Sequence, residues 1–242
     1  MRIAVLSDIH SNLVALDAVL GSLGTVDAVW HLGDVVGYGP EPDGVVERLR
    51  AIGAIGIKGN HDDASCGGES IERFTPDARV AAEWTRSHMS EETRAYLVGL
   101  PEQLEPQKGD FTLVHGSPRE PLFEYLHTAS AARDNLAALT TAYCLVGHTH
   151  VPLIIREEHG LMRARLVEPE SRVGLDERRA FLNPGSVGQP RDGDPRASYM
   201  LVDTAAAQIT WHRVSYDLQA TQRAILAAGL PPDLALRLAY GM

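Results

Sequence analysis

The sequence has few of the features that hold a small secreted fold together. It contains two cysteines, Cys66 and Cys144, which lie far apart and outside any CxxC pattern. A disulfide framework is therefore not expected in a chain of 242 residues, and reduced thiols in the cytoplasm are the simpler interpretation. Cys144 stands in an apolar run at residues 143–146 and is predicted to pack in the core.

Long apolar runs and a surplus of positive charge are also missing. The run at residues 3–6 is too short for a signal peptide, and no stretch approaches the ~20 apolar residues of a membrane span. The net charge of −10 at pH 7 argues against a broad basic surface for nucleic acid. We therefore predict a cytoplasmic protein that has no membrane partner and forms no stable complex with nucleic acid.

What the sequence does contain is a series of short apolar runs, each of which ends abruptly in polar residues. They occupy residues 3–6, 28–30, 54–57, 111–114 and 143–146. Near-continuous apolar strands indicate sheets that are covered on both faces, and helical spacing of leucine and valine separates the first runs. This alternation is typical of α/β architecture, in which ligands gather at the carboxyl ends of the strands.

The rest of the chain is predicted to belong to the same single domain, residues 1–242. Residues 63–107 break the rhythm of the strands and are predicted to form a helical insertion that caps or flanks the site. Residues 151–180 are expected to form a strand pair with exposed loops, and residues 218–238 a helical region.

The polar residues that follow the apolar runs share one chemistry, because each group supplies Asp, His or Asn. The groups are Asp8 with His10, Gly33-Asp34, Gly59-Asn60-His61-Asp62, His115-Gly116 and Gly147-His148-Thr149-His150. The first two groups are weak evidence alone, the GNHD group is more specific, and two His at i and i+2 in the GHTH group have a common ligand spacing. Five strand ends that all deliver such side chains indicate a metal site. Side chains two apart in an extended chain point the same way, so Asp8 and His10 could both reach one ion. Mixed nitrogen and oxygen ligands suit transition metals better than calcium or magnesium.

The order of these motifs, D-x-H, GD, GNHD, HG and GHTH, resembles that of the calcineurin-like metallophosphoesterase superfamily. The run Leu-Asn-Pro-Gly-Ser at residues 182–186 is similar to a stretch of its small bacterial phosphodiesterase branch. The resemblance implies a four-layer α/β/β/α sandwich, in which two mixed sheets are flanked by helices and two metal ions lie at one edge.

The resemblance also implies a ligand role for seven of the motif residues. The first metal ion would be bound by Asp8, His10 and His150, the second by Asn60, His115 and His148, and Asp34 would bridge both. The expected cofactor is a pair of divalent ions, with manganese favoured and iron, zinc, nickel or cobalt as alternatives.

The implied reaction is the hydrolysis of a phosphodiester by a hydroxide that bridges the two metals. His61 would act as general acid, and Asp34 and Asn60 complete the catalytic set. The partner would be a small phosphate ester, such as a nucleotide. Two alternatives stay open: a phosphomonoesterase or nucleotidase that uses the same site, and a non-catalytic scaffold of the same fold.

The sequence departs from the protein phosphatases of this superfamily after Gly33-Asp34. Those enzymes continue into an Asp that orients the catalytic His and an Arg that grips phosphate, whereas this chain continues into Val35 and Val36. The departure argues against a phosphoprotein phosphatase and against a symmetrical diadenosine tetraphosphate hydrolase. It leaves open what orients His61, although Asp62 is its neighbour in the sequence.

Three further residues carry two interpretations each. Asn12 is expected to cap a helix, with a contact to substrate phosphate as the alternative. Arg191 is expected to be a solvated loop residue, with the substrate phosphate as its alternative partner. His31 lies three residues before Asp34, so it is predicted to face away from the site and pack or support it from behind.

Overall fold

The computed structural model describes residues 1–106 and 110–242 and consists of two mixed β-sheets with helices outside them. The first sheet has the order β3-β2-β1-β11-β12-β9. Its strands are β1 (Arg2–Leu6), β2 (Ala28–His31), β3 (Ile55–Gly56), β9 (Arg172–Gly174), β11 (Ala197–Asp203) and β12 (Gln208–Val214).

The second sheet has the order β4-β5-β6-β10-β7-β8. Its strands are β4 (Gln103–Leu104), β5 (Phe111–Val114), β6 (Tyr143–Leu145), β7 (Leu153–Glu158), β8 (Leu161–Leu166) and β10 (Ala180–Asn183). Strands β7 and β8 are the pair predicted for residues 151–180. Strand β9, in the same stretch, was not predicted, and it joins the first sheet instead of the second.

The helices surround the two sheets. They are α1 (Leu13–Ser22), α2 (Pro42–Ala51), α3 (Asn60–Cys66), α4 (Pro76–His88), α5 (Glu91–Gly99), α6 (Ala129–Asn135), α7 (Leu218–Ala227) and α8 (Pro232–Leu236). Short 3₁₀ helices occupy Glu69–Arg73, Leu136–Ala138 and Arg237–Tyr240. Among the described residues, no helix has the length and hydrophobicity that crossing a membrane would take.

The alternation of side chains along β1 shows how the layers form. Ile3 and Val5 point toward the second sheet, whereas Ala4 and Leu6 point toward the outer helices. Because both faces of the strand are covered, it reads as a continuous apolar run. The predicted four-layer α/β/β/α sandwich is confirmed, with one core between the sheets and a further core under the helices on each side.

The stretch predicted as a helical insertion contains most of α3 and all of α4 and α5. Pro76 opens α4, where its fixed φ suits the first helical turn, and Ser90 caps α5 by accepting from the amide of Thr93. The last residue of the predicted insertion, Gln107, lies outside the described residues. The organisation of residues 1–242 as one domain stays a prediction.

Parallel pairing brings the chemistry-bearing loops to one edge. Strands β1, β2 and β3 run parallel, and so do β5, β6 and β10. The carboxyl ends of each set therefore lie on the same side of their sheet, where ligand sites of α/β folds usually form.

Candidate metal centre

The seven predicted ligands come from five loops at this edge. Asp8 and His10 follow β1, Asp34 follows β2, and Asn60 is the first residue of α3. His115 follows β5 directly, and the remaining two, His148 and His150, follow β6. All seven are buried, so their polar atoms need partners inside the protein.

Four of the side chains converge as a first group, made of Asp8, His10, Asp34 and His150. Their ligand atoms all lie within 4.8 Å of one another. Nε2 of His10 is 3.1 Å from Nε2 of His150, and Nε2 of His150 is 3.3 Å from Oδ1 of Asp8. Oδ2 of Asp34 is 3.6 Å from Nε2 of His10.

A second group forms around Nε2 of His115. This atom is 3.0 Å from Oδ1 of Asn60, 3.2 Å from Nδ1 of His148 and 3.3 Å from Oδ2 of Asp34. The ligand atoms of Asp34, His115 and His148 again lie within 4.8 Å of one another. Asp34 therefore belongs to both groups.

The orientation of three imidazoles is fixed by the backbone. Nδ1 of His10 is 3.1 Å from the carbonyl of Val36, that of His115 is 2.7 Å from Leu32, and that of His150 is 2.6 Å from Gln189. Because a carbonyl oxygen only accepts, each Nδ1 carries the proton and donates it. In the neutral imidazoles Nε2 is then left with a lone pair aimed into the centre, which is how histidine ligands are usually held.

The electrostatics favour the ligand form of most imidazoles. Burial holds the pKa values of His10 and His150 well below the ordinary value and lowers that of His148 to about 3. These three are therefore neutral at pH 7, and neutral imidazole is the form that binds metal. His115 is the exception, since Asp34 outweighs the effect of burial and raises its pKa to about 9.

The carboxylates respond differently. Burial raises the pKa of Asp8 to about 7. For Asp34 burial acts in the same direction, but the surrounding histidines, with His115 first, hold its pKa well below the usual value. The centre thus buries two carboxylates beside four imidazoles.

The backbone at the site adopts a conformation that L-residues rarely use. Ten non-glycine residues have positive φ among those described, and seven of them lie at or beside the centre: Asp8, His10, Ser11, Asp34, Tyr38, His148 and His150. Left-handed conformations at non-glycine residues carry a cost and persist where surrounding structure fixes them. The extended geometry assumed for the D-x-H pair was therefore wrong, since Asp8 and His10 both have left-handed backbones.

Glycine makes the close approach of the loops possible. A Cβ on Gly59 would lie 2.1 Å from Oδ1 of Asp34, and one on Gly147 would lie 2.2 Å from Oγ of Ser7. Both distances are far below van der Waals contact. The glycines of the GNHD and GHTH motifs are thus required by space at this edge.

The residues present fit a pair of cations. Oδ2 of Asp34 is buried and forms no hydrogen bond within the described part of the chain. The 3.1 Å approach of the His10 and His150 Nε2 atoms places two lone pairs against each other. A divalent cation in each group would satisfy both observations, with two histidine nitrogens per group and carboxylate or amide oxygens beside them, a mixture typical of transition-metal sites.

His61 and Asp62 lie beside the ligands in different roles. The amide of His61 donates to Oδ1 of Asp34 at 2.8 Å, and its ring packs 4.4 Å from the rings of Tyr38 and Phe74. Nδ1 of His61 is buried and makes no hydrogen bond to the residues described. Burial lowers the pKa of His61 to about 4.

The structure answers what Asp62 does. Its Oδ1 accepts from the amide of Val36 at 3.0 Å, and its Oδ2 accepts from the amide of Gly59 at 2.9 Å. Asp62 therefore ties the loop that carries Asp34 to the turn that carries Asn60, and it does not orient His61 through its carboxylate. A glycine followed three residues later by an acid is a capping signal, which the sequence interpretation missed.

A cavity of about 210 Å³ opens above the ligands. Its walls include side chains that carried no motif: Arg73, Phe74, Phe123 and Tyr125, together with Tyr38 and Arg191. The ring of Tyr125 stacks on His148 at 4.0 Å and is half exposed. Aromatic residues make up only 6% of the chain, so an aromatic side chain in a polar loop beside a motif is unusual. That was the signal from which these cavity walls could have been predicted.

Two of the open interpretations are decided by contacts. Oδ1 of Asn12 accepts from the amide of Ala15 at 3.1 Å, so Asn12 caps α1 as expected. His31 is buried on the far side of β2, with Nε2 2.9 Å from the hydroxyl of Tyr96, and it packs as predicted.

Arg191 lies at the cavity and not in a solvated loop position as expected. It lines the cavity, and its guanidinium donates to Oε1 of Gln189 at 2.8 Å and to the hydroxyl of Tyr38 at 3.3 Å. Arg191 forms no ion pair with any described carboxylate, so its charge is directed at the cavity.

Comparisons with known proteins agree with this geometry. A metallophosphoesterase from Sphaerobacter thermophilus is 46% identical, each chain covers 100% of the other, and the TM-score is 0.91. An uncharacterized protein of Methanocaldococcus jannaschii is 37% identical over 99% of this chain and 98% of its own. The phosphodiesterase YfcE of Escherichia coli is 28% identical over 84% of this chain and 88% of its own.

The family model of the calcineurin-like phosphoesterase superfamily domain matches residues 1–207. Its members are metal-dependent, and the buried Asp and His groups described above could hold metal. The chain therefore belongs to the calcineurin-like phosphoesterase superfamily.

Proposed function

We propose that this protein is a phosphodiesterase that depends on two divalent metal ions. The observation that carries the proposal is the shared carboxylate, since Asp34 lies in both ligand groups and its Oδ2 has no hydrogen bond within the described chain. The name of YfcE supports the diesterase activity, because that relative matches most of the chain.

The ligands divide as the family resemblance implies. Asp8, His10 and His150 would hold one ion, Asn60, His115 and His148 the other, and Asp34 both. A pair of divalent ions held by these residues would supply Lewis-acid chemistry, which lowers the pKa of water and stabilises negative charge on a phosphoryl group. We infer manganese as the native metal, with iron, zinc, nickel or cobalt able to use the same ligands.

His61 is proposed as the general acid. It lines the cavity above the ligands, where a protonated imidazole could donate to the leaving group of a bound ester. Burial lowers the pKa of His61 to about 4, which favours the neutral form in the free protein. The negative charge of a bound phosphate ester acts in the opposite direction and raises this pKa when the proton is needed.

Arg191 is proposed to bind the substrate phosphate. Gln189 and Tyr38 hold its guanidinium at the cavity without neutralising it. Guanidinium groups match phosphate oxygens in geometry as well as charge. Arg191 would thereby serve the role of the arginine that is missing after Gly33-Asp34.

A phosphomonoesterase or nucleotidase is the second candidate. The cavity holds two arginines, Arg73 and Arg191, and two cations suit the double charge of a monoester. Comparing kcat/KM for mono- and diesters of the same leaving group decides between the two. A scaffold without activity is less favoured, because all seven ligand positions and His61 are filled. A small phosphate ester is the proposed partner, and a cytoplasmic location stays a prediction.

The experiment that tests the proposal is turnover of bis-p-nitrophenyl phosphate with added Mn²⁺ and with chelator. We expect activity that chelator abolishes, and a His61→Ala variant that loses turnover while retaining its metal. His159→Ala, at an exposed turn, is the matched control and is expected to behave as wild type. No turnover with any divalent metal would refute the proposal.

A further inference from the structure

A second cavity lies at the edge where strands β8 and β9 end the two sheets. It measures about 330 Å³. Five arginines line it and form what we call the arginine cavity: Arg156, Arg163, Arg165, Arg172 and Arg178. The whole chain has 22 lysines and arginines and a net charge of −10, so this is a strong local concentration of positive charge.

The strand register sets two of these charges against each other. Arg156 of β7 stands directly opposite Arg163 of β8, and Arg165 is the next residue on the same face of β8. Like charges directly opposite in an antiparallel pair destabilise it. The charges of Arg156 and Arg163 therefore repel each other across the β7–β8 hairpin.

The nearby carboxylates do not balance the arginines. Glu158 pairs with Arg165 at 2.7 Å and Arg163 at 3.6 Å, and Asp176 pairs with Arg178 and Arg156. Arg172 forms no ion pair with any residue that the structure describes. Two carboxylates thus face five guanidinium groups.

Arg156 lies at the back of the cavity. It is 7% exposed, and its Nε makes no hydrogen bond to the described chain. One Nη donates to the carbonyl of Gly174 at 2.7 Å. A buried guanidinium nitrogen without an acceptor is costly, and an anion in the cavity that Arg156 lines would offset its buried charge.

A purely structural interpretation is that the arginines cover Ile154 and Val173 at the open end of the inter-sheet core. Long arginine stems do cover apolar surface in this way. That role explains why the aliphatic parts of the arginines lie there. It does not explain why Arg156 and Arg163 stand directly opposite each other, or why Nε of Arg156 has no hydrogen bond to the described chain.

We propose that the arginine cavity binds a small polyphosphate anion through its diphosphate group. Guanidinium groups bind phosphate oxygens in pairs, and the three uncompensated positive charges suit an anion with several negative charges. The site is separate from the metal centre, since this cavity shares no lining residue with the cavity above the ligands. Binding here is thus independent of the proposed hydrolysis.

The test is calorimetric titration of the metal-loaded protein with pyrophosphate, with excess Mg²⁺ in both solutions so that the anion does not strip metal. Wild type is compared with the double variant Arg163→Gln/Arg172→Gln, whose side chains are exposed. The matched control is Arg133→Gln/Arg223→Gln, which removes the same charge from exposed helix positions. Adenosine diphosphate, titrated alongside, distinguishes a nucleotide from the inorganic anion as the source of the diphosphate.

We expect the cavity variant to weaken one binding event by about tenfold or more, because it loses charged hydrogen bonds to the anion. The control variant should bind as wild type. Turnover of bis-p-nitrophenyl phosphate should be unchanged in both. Equal binding by wild type and cavity variant, or equal weakening in the control, would overturn the proposal.

A melting experiment without anion separates binding from a structural role. Arg163→Gln removes the repulsion opposite Arg156, so we expect its Tm to equal or exceed that of wild type. Pyrophosphate should raise the Tm of wild type more than that of the variant. A lower Tm of Arg163→Gln together with an equal pyrophosphate shift would leave the arginines as structural cover and refute the site.

Discussion

The edge that carries the candidate metal ligands and the core between the two sheets are equally buried but are built in opposite ways. Asp8 and Ile3 lie five residues apart on and after the same strand, and both have no exposed surface. Ile3 sits in a regular strand among apolar neighbours, whereas Asp8 has a left-handed backbone and a carboxylate among imidazoles.

This difference shows how the fold divides its tasks. Burial of apolar area between the sheets supplies stability, and it requires no unusual backbone. The ligand edge accepts positive φ values, closely approaching loops and buried charge, all of which cost stability. Substitutions in the two regions should therefore separate activity from stability.

The largest effect is expected from Asp34→Ala. Both ligand groups lose their common member, so we expect kcat/KM to fall by about 10⁴-fold, ~5 kcal/mol of transition-state stabilisation. The far-UV circular dichroism spectrum should be retained because the inter-sheet core is untouched. Asp17→Ala, an exposed carboxylate paired with Arg48, is the control and should keep wild-type turnover.

The opposite result is expected from Ile209→Ala, in the core between the sheets. Ile209 is fully buried on β12, so the cavity left behind should lower the free energy of unfolding by about 3 kcal/mol. Activity per folded molecule should not change. Urea denaturation measures the free energy of unfolding, and bis-p-nitrophenyl phosphate turnover measures the activity. Ile52→Ala, at an exposed position, should change neither quantity. A large loss of turnover in Ile209→Ala would contradict the separation of activity from stability.

His31 is buried but belongs to neither ligand group, so it tests the cost of burying a titratable side chain away from the candidate metal ligands. Burial lowers its pKa from 6.5 to about 4, so the unfolded chain binds a proton between these values and the folded chain does not. Stability from this group is present above pH 6.5 and is lost as the pH falls toward 4. We expect this group to contribute about 2 kcal/mol of the stability lost between pH 7 and 5, so the loss should be smaller by that amount in His31→Phe. His127→Phe, at an exposed position, should keep the wild-type dependence of unfolding free energy on pH. The same dependence in His31→Phe would contradict the assignment of this contribution to His31.

The smallest effect is expected at Asn12, which caps α1 beside the ligand loop. Asn12→Ala removes the acceptor for the amide of Ala15 and should cost about 1 kcal/mol of unfolding free energy. Asn12→Asp keeps that acceptor and should lose less. If Asn12→Asp instead raised the KM for substrate strongly at unchanged stability, the alternative contact to phosphate would be favoured.

The sequence predicts the strands and their layer better than their pairing. The apolar runs at residues 3–6, 111–114 and 143–146 match β1, β5 and β6 closely. The insertion of β11 between β1 and β12 was not predicted, because pairing partners about 200 residues apart leave no local pattern. Strand β9 is only three residues long, too short to show periodicity.

The ligand set was also accessible from the sequence, but its geometry was not. All seven candidate ligands converge, yet through left-handed turns in place of extended chain. The cavity walls were missed because Phe123 and Tyr125 lie in a loop without a motif. Arg191 was expected in solvent, because nothing local reveals that Tyr38 and Gln189 hold it at the cavity.

The most direct test of the central claim is the metal content of purified, metal-loaded protein by elemental analysis. The account predicts two ions per chain in wild type, one in His150→Ala and one in His148→Ala, because each histidine belongs to a different group. Neither variant should resemble Asp34→Ala, which is expected to lose both. One ion per wild-type chain, lost alike in His148→Ala and His150→Ala, would show a single mononuclear site and contradict the shared role of Asp34.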